Sequence, residues 1–110
     1  MNNLVYHDLN ASAPYDRMKE FALKHGIEFK GQNLPKRYRH GEMKACYKNS
    51  ALMSFRHNLI YVEGYASASN CHHSTLHAWC INELGEVFDR TWPYTSLNTY
   101  YGVSIKREYI

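Results

Sequence analysis

Thr75-Leu76-His77-Ala78-Trp79-Cys80-Ile81-Asn82, then Glu83-Leu84-Gly85, then Glu86-Val87-Phe88-Asp89-Arg90-Thr91, is two runs rich in apolar residues around a short connection that ends in glycine. β-branched and aromatic side chains suit a pleated, half-buried surface, and a three-residue Gly-containing link makes the two runs a hairpin. With that turn Asn82 faces Glu86, Trp79 faces Asp89 and His77 faces Thr91. His77 and Asp89 become diagonal neighbours on one face, roughly 7–8 Å apart at Cβ and within reach of an imidazole–carboxylate hydrogen bond. A slip of one residue would put them on opposite faces.

Working outward, Leu59–Ala66 reads as a further strand and the polar Ser67–Ser74 as a loop. Before them the period is helical. Tyr47, Ala51, Ser54, Phe55 and Asn58 share one side of a helix over Lys44–His57, and Asn58 suits its end. Pro14–His25 is a second helix, with Tyr15, Met18, Phe21, Ala22 and His25 on its stripe. Ser12 is placed to cap it, Pro14 suits its first turn and Gly26 its stop. Ile27-Glu28-Phe29 is a short edge strand, and Gly31–Gly41, with Gly, Asn, Pro and many charges, a loop. Pro93 breaks the hairpin's second strand, and the tail Tyr100–Ile110 alternates enough for one more. Helices followed by an antiparallel meander make an α+β layout, and 110 residues make one domain, 1–110.

Hydrophobic residues form 45% of the chain, enough for a packed core, and the ten Tyr pack on one side while hydrogen-bonding on the other. The net charge of +3 argues against an acidic partner more than it argues for nucleic acid, and Lys36, Arg37, Arg39 and His40 read as a solvated loop. No apolar run nears the roughly 20 residues that span a bilayer, so no membrane partner is expected. Three Cys, an odd number, with no signal-like start, fit a reduced, cytoplasmic protein with free thiols.

That setting suits a reactive cysteine. Cys46 opens the second helix, and a helix N-terminus beside an imidazolium stabilises a thiolate. Taken singly, a helical Cys is a small buried hydrophobe, a strand His a packing residue and an Asp near a strand end a turn acceptor. In the order Cys46, His77, Asp89 on helix, strand and strand, they form a nucleophile, a general base and an orienting carboxylate.

Around these residues the chain resembles the transglutaminase-like branch of the papain-like cysteine enzymes. The likeness runs through Tyr61-Val62-Glu63-Gly64-Tyr65-Ala66, His77-Ala78-Trp79 and Val87-Phe88-Asp89-Arg90-Thr91-Trp92, with Arg90 where Pro is usual. Cys46-Tyr47-Lys48-Asn49-Ser50 and Tyr100-Tyr101-Gly102-Val103 are similar to segments of small uncharacterised bacterial and phage proteins of this type. The resemblance implies a papain-like α+β fold with Cys46, His77 and Asp89 as the catalytic set. It also implies a thiol hydrolase of peptidase, amidase or isopeptidase type, acting on a protein or peptide through an acyl-enzyme, with no cofactor. The oxyanion donors expected are the Cys46 backbone N–H and a side chain. Papain-type enzymes place a Gln upstream of the Cys, where His40 stands here. Gln32, the chain's single Gln, is the candidate; Asn49 braces the site or packs inside, and Trp79 either shields the His77–Asp89 pair or, more simply, fills the core.

Two other readings come from different classes. The same fold without catalysis would be a binding or inhibitor protein, for instance a phage product aimed at a host factor. Alternatively, Cys71-His72-His73 with His77 and Cys80 supplies zinc-type ligands, the runner-up set being Cys71, His73, His77 and Cys80. On one strand Cys80 has the opposite parity to His77, so a single strand cannot wrap the four.

Overall fold

A computed structural model describes residues 22–42, 44–68, 74–92 and 98–110. Five antiparallel strands form one sheet: β1 (Ile27–Lys30), β2 (Ile60–Ser67), β3 (Thr75–Ile81), β4 (Val87–Phe88) and β5 (Thr99–Ile105), in the order β1-β5-β2-β3-β4. With a helix over Cys46–His57 and helical residues 22–25, this is a small α+β domain. The expected meander holds for β2, β3 and β4. β5 departs from it, crossing back to lie between β1 and β2.

Alternation along the strands divides the core in two. One face carries Phe29, Val62, Ala66, Trp79, Ile81, Val87 and Tyr100, with Trp92 packed against them. The other face meets the helices: Cys80 and Phe88 pack with Met53 and Leu59, and Tyr65 and Tyr101 pack with Ala22. Ala78 through Ile81 are all buried because β3 is covered on both sides.

The register is that of the simplest turn. Cys80 pairs with Phe88 and Ile81 with Val87, and Asn82 N–H donates to Glu86 O at 3.2 Å. The Asn82 side-chain oxygen takes the N–H groups of Leu84 and Glu86, and Gly85 has φ 79°, which a glycine adopts without a Cβ penalty.

Several boundaries differ from expectation for local reasons. The helix starts at Cys46 rather than Lys44, because Lys44 is left-handed with φ 66°. It ends as foreseen at left-handed Asn58, whose N–H returns to Ser54 O. Leu59 also donates there, at 3.3 Å, so β2 begins one residue later than read. The strand expected to run to Thr91 stops at Phe88, since the Asp89 carboxylate takes the N–H groups of Thr91 and Trp92 and turns the chain away. The tail is strand to Ile105 and then a 3-10 turn, Arg107–Tyr109. At the edge of the sheet, β1 lies where Ile27-Glu28-Phe29 was read as an edge strand. Gly26 N–H closes on Ala22 O at 2.8 Å, while Ser12, Pro14 and the rest of the first helix lie outside the described residues.

Candidate functional site

His77 stands opposite Gly64 in the β2–β3 ladder, and Gly64 in turn stands opposite Gly102 on β5. On that side of the imidazole, therefore, no side chain rises from β2 opposite it or from β5 beyond. A Cβ on Gly102 would run into the Trp79 ring, so this glycine floor is what lets large rings lie flat here. His77 is buried, stacked on Trp92 at 4.2 Å between centroids, with Trp79 at 6.1 Å and Tyr100 at 6.2 Å.

Within this aromatic box Nε2 of His77 lies 2.8 Å from Oδ2 of Asp89. Asp89 is fully buried and accepts four hydrogen bonds. Oδ2 takes His77 Nε2 and the Tyr100 hydroxyl, each at 2.8 Å; Oδ1 takes Thr91 N–H at 2.9 Å and Trp92 N–H at 3.2 Å. A buried carboxylate without such partners would be strongly destabilising. The bond to Asp89 is made by Nε2 of His77, and Cys46 lines the same cleft as the imidazole, close enough for each to act on the other's ionisation.

The two ionisations support each other. Burial works to raise the Cys46 thiol, but the hydrogen bond and charge of His77, with the backbone amides of Ala78 and Tyr47, hold it below its ordinary value. Burial likewise works to lower His77, but the hydrogen bonds and charges of Asp89 and Cys46 push it up to about 9. A thiolate beside an imidazolium is the form these opposite shifts favour. Cys46 adds the advantage of its place, at the first position of the helix after Ala45, where unpaired N–H groups and the helix dipole favour negative charge.

Asn49, one turn into the helix, ties the parts together. Its Nδ2 donates to Glu42 O and to Thr91 Oγ1, both at 2.9 Å. It thereby links the approach to Cys46 with the turn that carries Asp89. Gly41 packs directly on this amide, where a Cβ would overlap it, and Gly41 N–H donates to Arg90 O at 2.8 Å. Asn49 braces, and its donors are engaged away from the thiol. Trp79 is a core residue, and among the described residues its buried Nε1 has no partner; the ring that lies directly on His77 is Trp92. Gln32 is half-buried after β1 and is not among the residues lining the Cys46 cleft.

That cleft, about 350 Å³, opens between Cys46 and Tyr47, Leu76 and His77, and Thr91 and Trp92, with Lys44 beside it. A roomier one, about 480 Å³, lies at the other end of the helix among Asn58, Leu59, Asn82, Leu84 and Arg107. Twelve helical residues, about 18 Å, separate the two ends. The smaller cleft is the one that reaches the thiol and the imidazole.

No family model, curated protein or solved structure matches the chain. The site therefore rests on its own geometry. Of the zinc-type set, Cys71 and His73 lie outside the described residues. Cys80 is turned to the helix face of β3, donates its thiol to Ser50 O at 3.1 Å and is pushed up to about 12, chiefly by burial. His77 faces the other way and is bonded to Asp89. Among the described residues no group of three His, Cys, Asp or Glu is placed to hold a metal, and no helix is long and apolar enough to cross a membrane. Sequence reasoning missed Tyr100, Trp92 and Gly41. Trp92 and Tyr100 lay inside the quoted motifs, but neither local pattern nor spacing says which ring will touch the histidine.

Proposed function

We propose that the protein is a thiol-dependent hydrolase of the transglutaminase-like, papain-like kind, acting on an amide bond of a protein or peptide. The observation that carries this reading is the 2.8 Å bond between His77 and buried Asp89 with Cys46 beside the imidazole in the same cleft, its thiol held below the ordinary value. The Cys46 thiolate attacks the carbonyl carbon, and the negative charge that develops on oxygen is met by the N–H groups at the helix start. The His77 imidazolium passes its proton to the departing amine, leaving a thioester on Cys46. His77, now neutral, takes a proton from water as the water attacks the thioester, and collapse of the adduct releases the carboxylic acid and restores the thiolate beside the imidazolium. Asp89 holds the imidazole orientation through both halves and favours its charged form. Trp92, lying on the imidazole, excludes water from one of its faces.

The test is the pH dependence of Cys46 alkylation by iodoacetamide, read by peptide mass spectrometry, in wild type and His77→Ala. Cys46 should react well below the range of an ordinary thiol, and His77→Ala should abolish that advantage. A Cys46 that titrates as a free thiol near pH 8.5 removes the warrant for catalysis. Where a peptide amide is found that the wild type cleaves, full cleavage by Cys46→Ala would do the same.

A further inference from the structure

Tyr100 is the one donor to the His77–Asp89 pair that comes from β5, two strands away from β3. It stands opposite Ala66 in the ladder, and the next position along each strand on that face is Gly102 or Gly64. Its ring crosses this low floor without meeting a larger side chain and reaches the carboxylate beyond. The Tyr100 hydroxyl and Nε2 of His77 share the same oxygen, Oδ2, each at 2.8 Å. Asn98 Nδ2 approaches the Tyr100 oxygen from the other side, at 3.4 Å, leaving the hydroxyl proton for Asp89. The backbone amides of Thr91 and Trp92 secure Oδ1, so Tyr100 alone among the described residues shares Oδ2 with the histidine.

We propose that Tyr100, oriented by Asn98, is a positioning residue that shares Oδ2 of Asp89 with Nε2 of His77 and tempers the carboxylate's pull on the imidazole. The inference rests on the catalytic reading of Cys46 and His77. Burial and the charge of Asp89 push the Tyr100 hydroxyl far up, so it remains a donor throughout the working range. A donor on Oδ2 draws off part of the negative charge that would otherwise act on the imidazolium. Without it, the pull on His77 concentrates, and the imidazole should hold its proton to higher pH. A tyrosine that was merely a core ring with a satisfied hydroxyl would affect stability and leave the histidine's titration unmoved.

The experiment is an NMR titration of the His77 imidazole in 15N-labelled wild type, Tyr100→Phe and Asn98→Ala, with His77→Gln to assign the signal. Tyr101→Phe, on the other face of β5, is the control. The wild-type step should fall near pH 9, move up by roughly half a pH unit or more in Tyr100→Phe, and move less in the same direction in Asn98→Ala. It should stay in place in Tyr101→Phe. A folded Tyr100→Phe whose His77 titrates as in wild type overturns the inference; should that variant fail to fold, an unmoved step in Asn98→Ala overturns it. A wild-type step near 6.5, with Cys46 unreactive, would instead sink the catalytic reading itself and this inference with it.

Discussion

Cys46 and Cys80 lie along the same helix–strand contact, one helical turn apart: Cys46 begins the helix, and the Cys80 thiol donates to the carbonyl of Ser50. Cys46 sits where the helix presents N–H groups and where His77 supplies a hydrogen bond and a charge, and its thiol is lowered. Cys80 is enclosed among Met53, Leu59 and Phe88 and is pushed up to about 12, first by burial and then by the charge of Asp89, against smaller opposing effects of Arg90 and the Ser54 backbone. The same carboxylate thus supports one thiolate through His77 and opposes the other directly. Reactivity here belongs to the neighbours, and a step of four residues along the helix reverses it.

The comparison breaks most forcefully at Asp89. Asp89→Ala leaves a buried histidine and three further donors without their acceptor, and should cost about 3–5 kcal/mol in urea unfolding. A loss below about 1 kcal/mol would mean the network is not formed. Next comes labelling of the two thiols at pH 7. Iodoacetamide should modify Cys46 more than about a hundredfold faster than Cys80, which should react only after unfolding; comparable rates would erase the distinction.

A pH series sharpens the contrast further. His77 is raised from 6.5 to about 9 in the folded protein. A raised base stabilises the fold fully below its unfolded value and ceases to do so as pH rises through its folded value. Cys46 acts in the opposite sense, its contribution being lost as pH falls through its lowered value, so the histidine is best read in a Cys46→Ala background. There His77 loses the part of its rise that Cys46 supplies, so the stability difference between His77 and His77→Gln should be largest below about pH 6.5 and vanish before about pH 9; a difference that grew with pH would contradict the assignment. The smallest effect is Cys80→Ala, about 1 kcal/mol for the cavity, with the Cys46 labelling rate unchanged.

How much of this was legible beforehand follows from how local each feature is. The hairpin register was readable because Asn82 and Gly85 carry turn chemistry that fixes pairing without help from elsewhere. The helix end was readable at Asn58 for the same reason. The early end of β4 was hidden because the Asp89 side chain competes with the ladder for backbone N–H groups, a contest that propensity does not express. The roles of Tyr100 and Trp92 were hidden more deeply. They depend on β5 returning beside β2 and on a chain reversal after Asp89, which long-range packing decides. Trp79 fills the core, its simpler role, with its ring 6.1 Å from the imidazole, while the turn after Asp89 lays Trp92 on the imidazole at 4.2 Å.

Because β5 is laid between β1 and β2, the sheet cannot close in the order in which the ribosome delivers it. The helix, β2, β3 and β4 can associate as soon as residue 88 has emerged, but β1 has no partner until residues 99–105 are available. Tyr100 arrives with that last strand, so the carboxylate beside His77 gains its final donor only then. A nascent chain therefore carries Cys46 for more than fifty residues of synthesis before Tyr100, the last donor to the carboxylate beside His77, is in place.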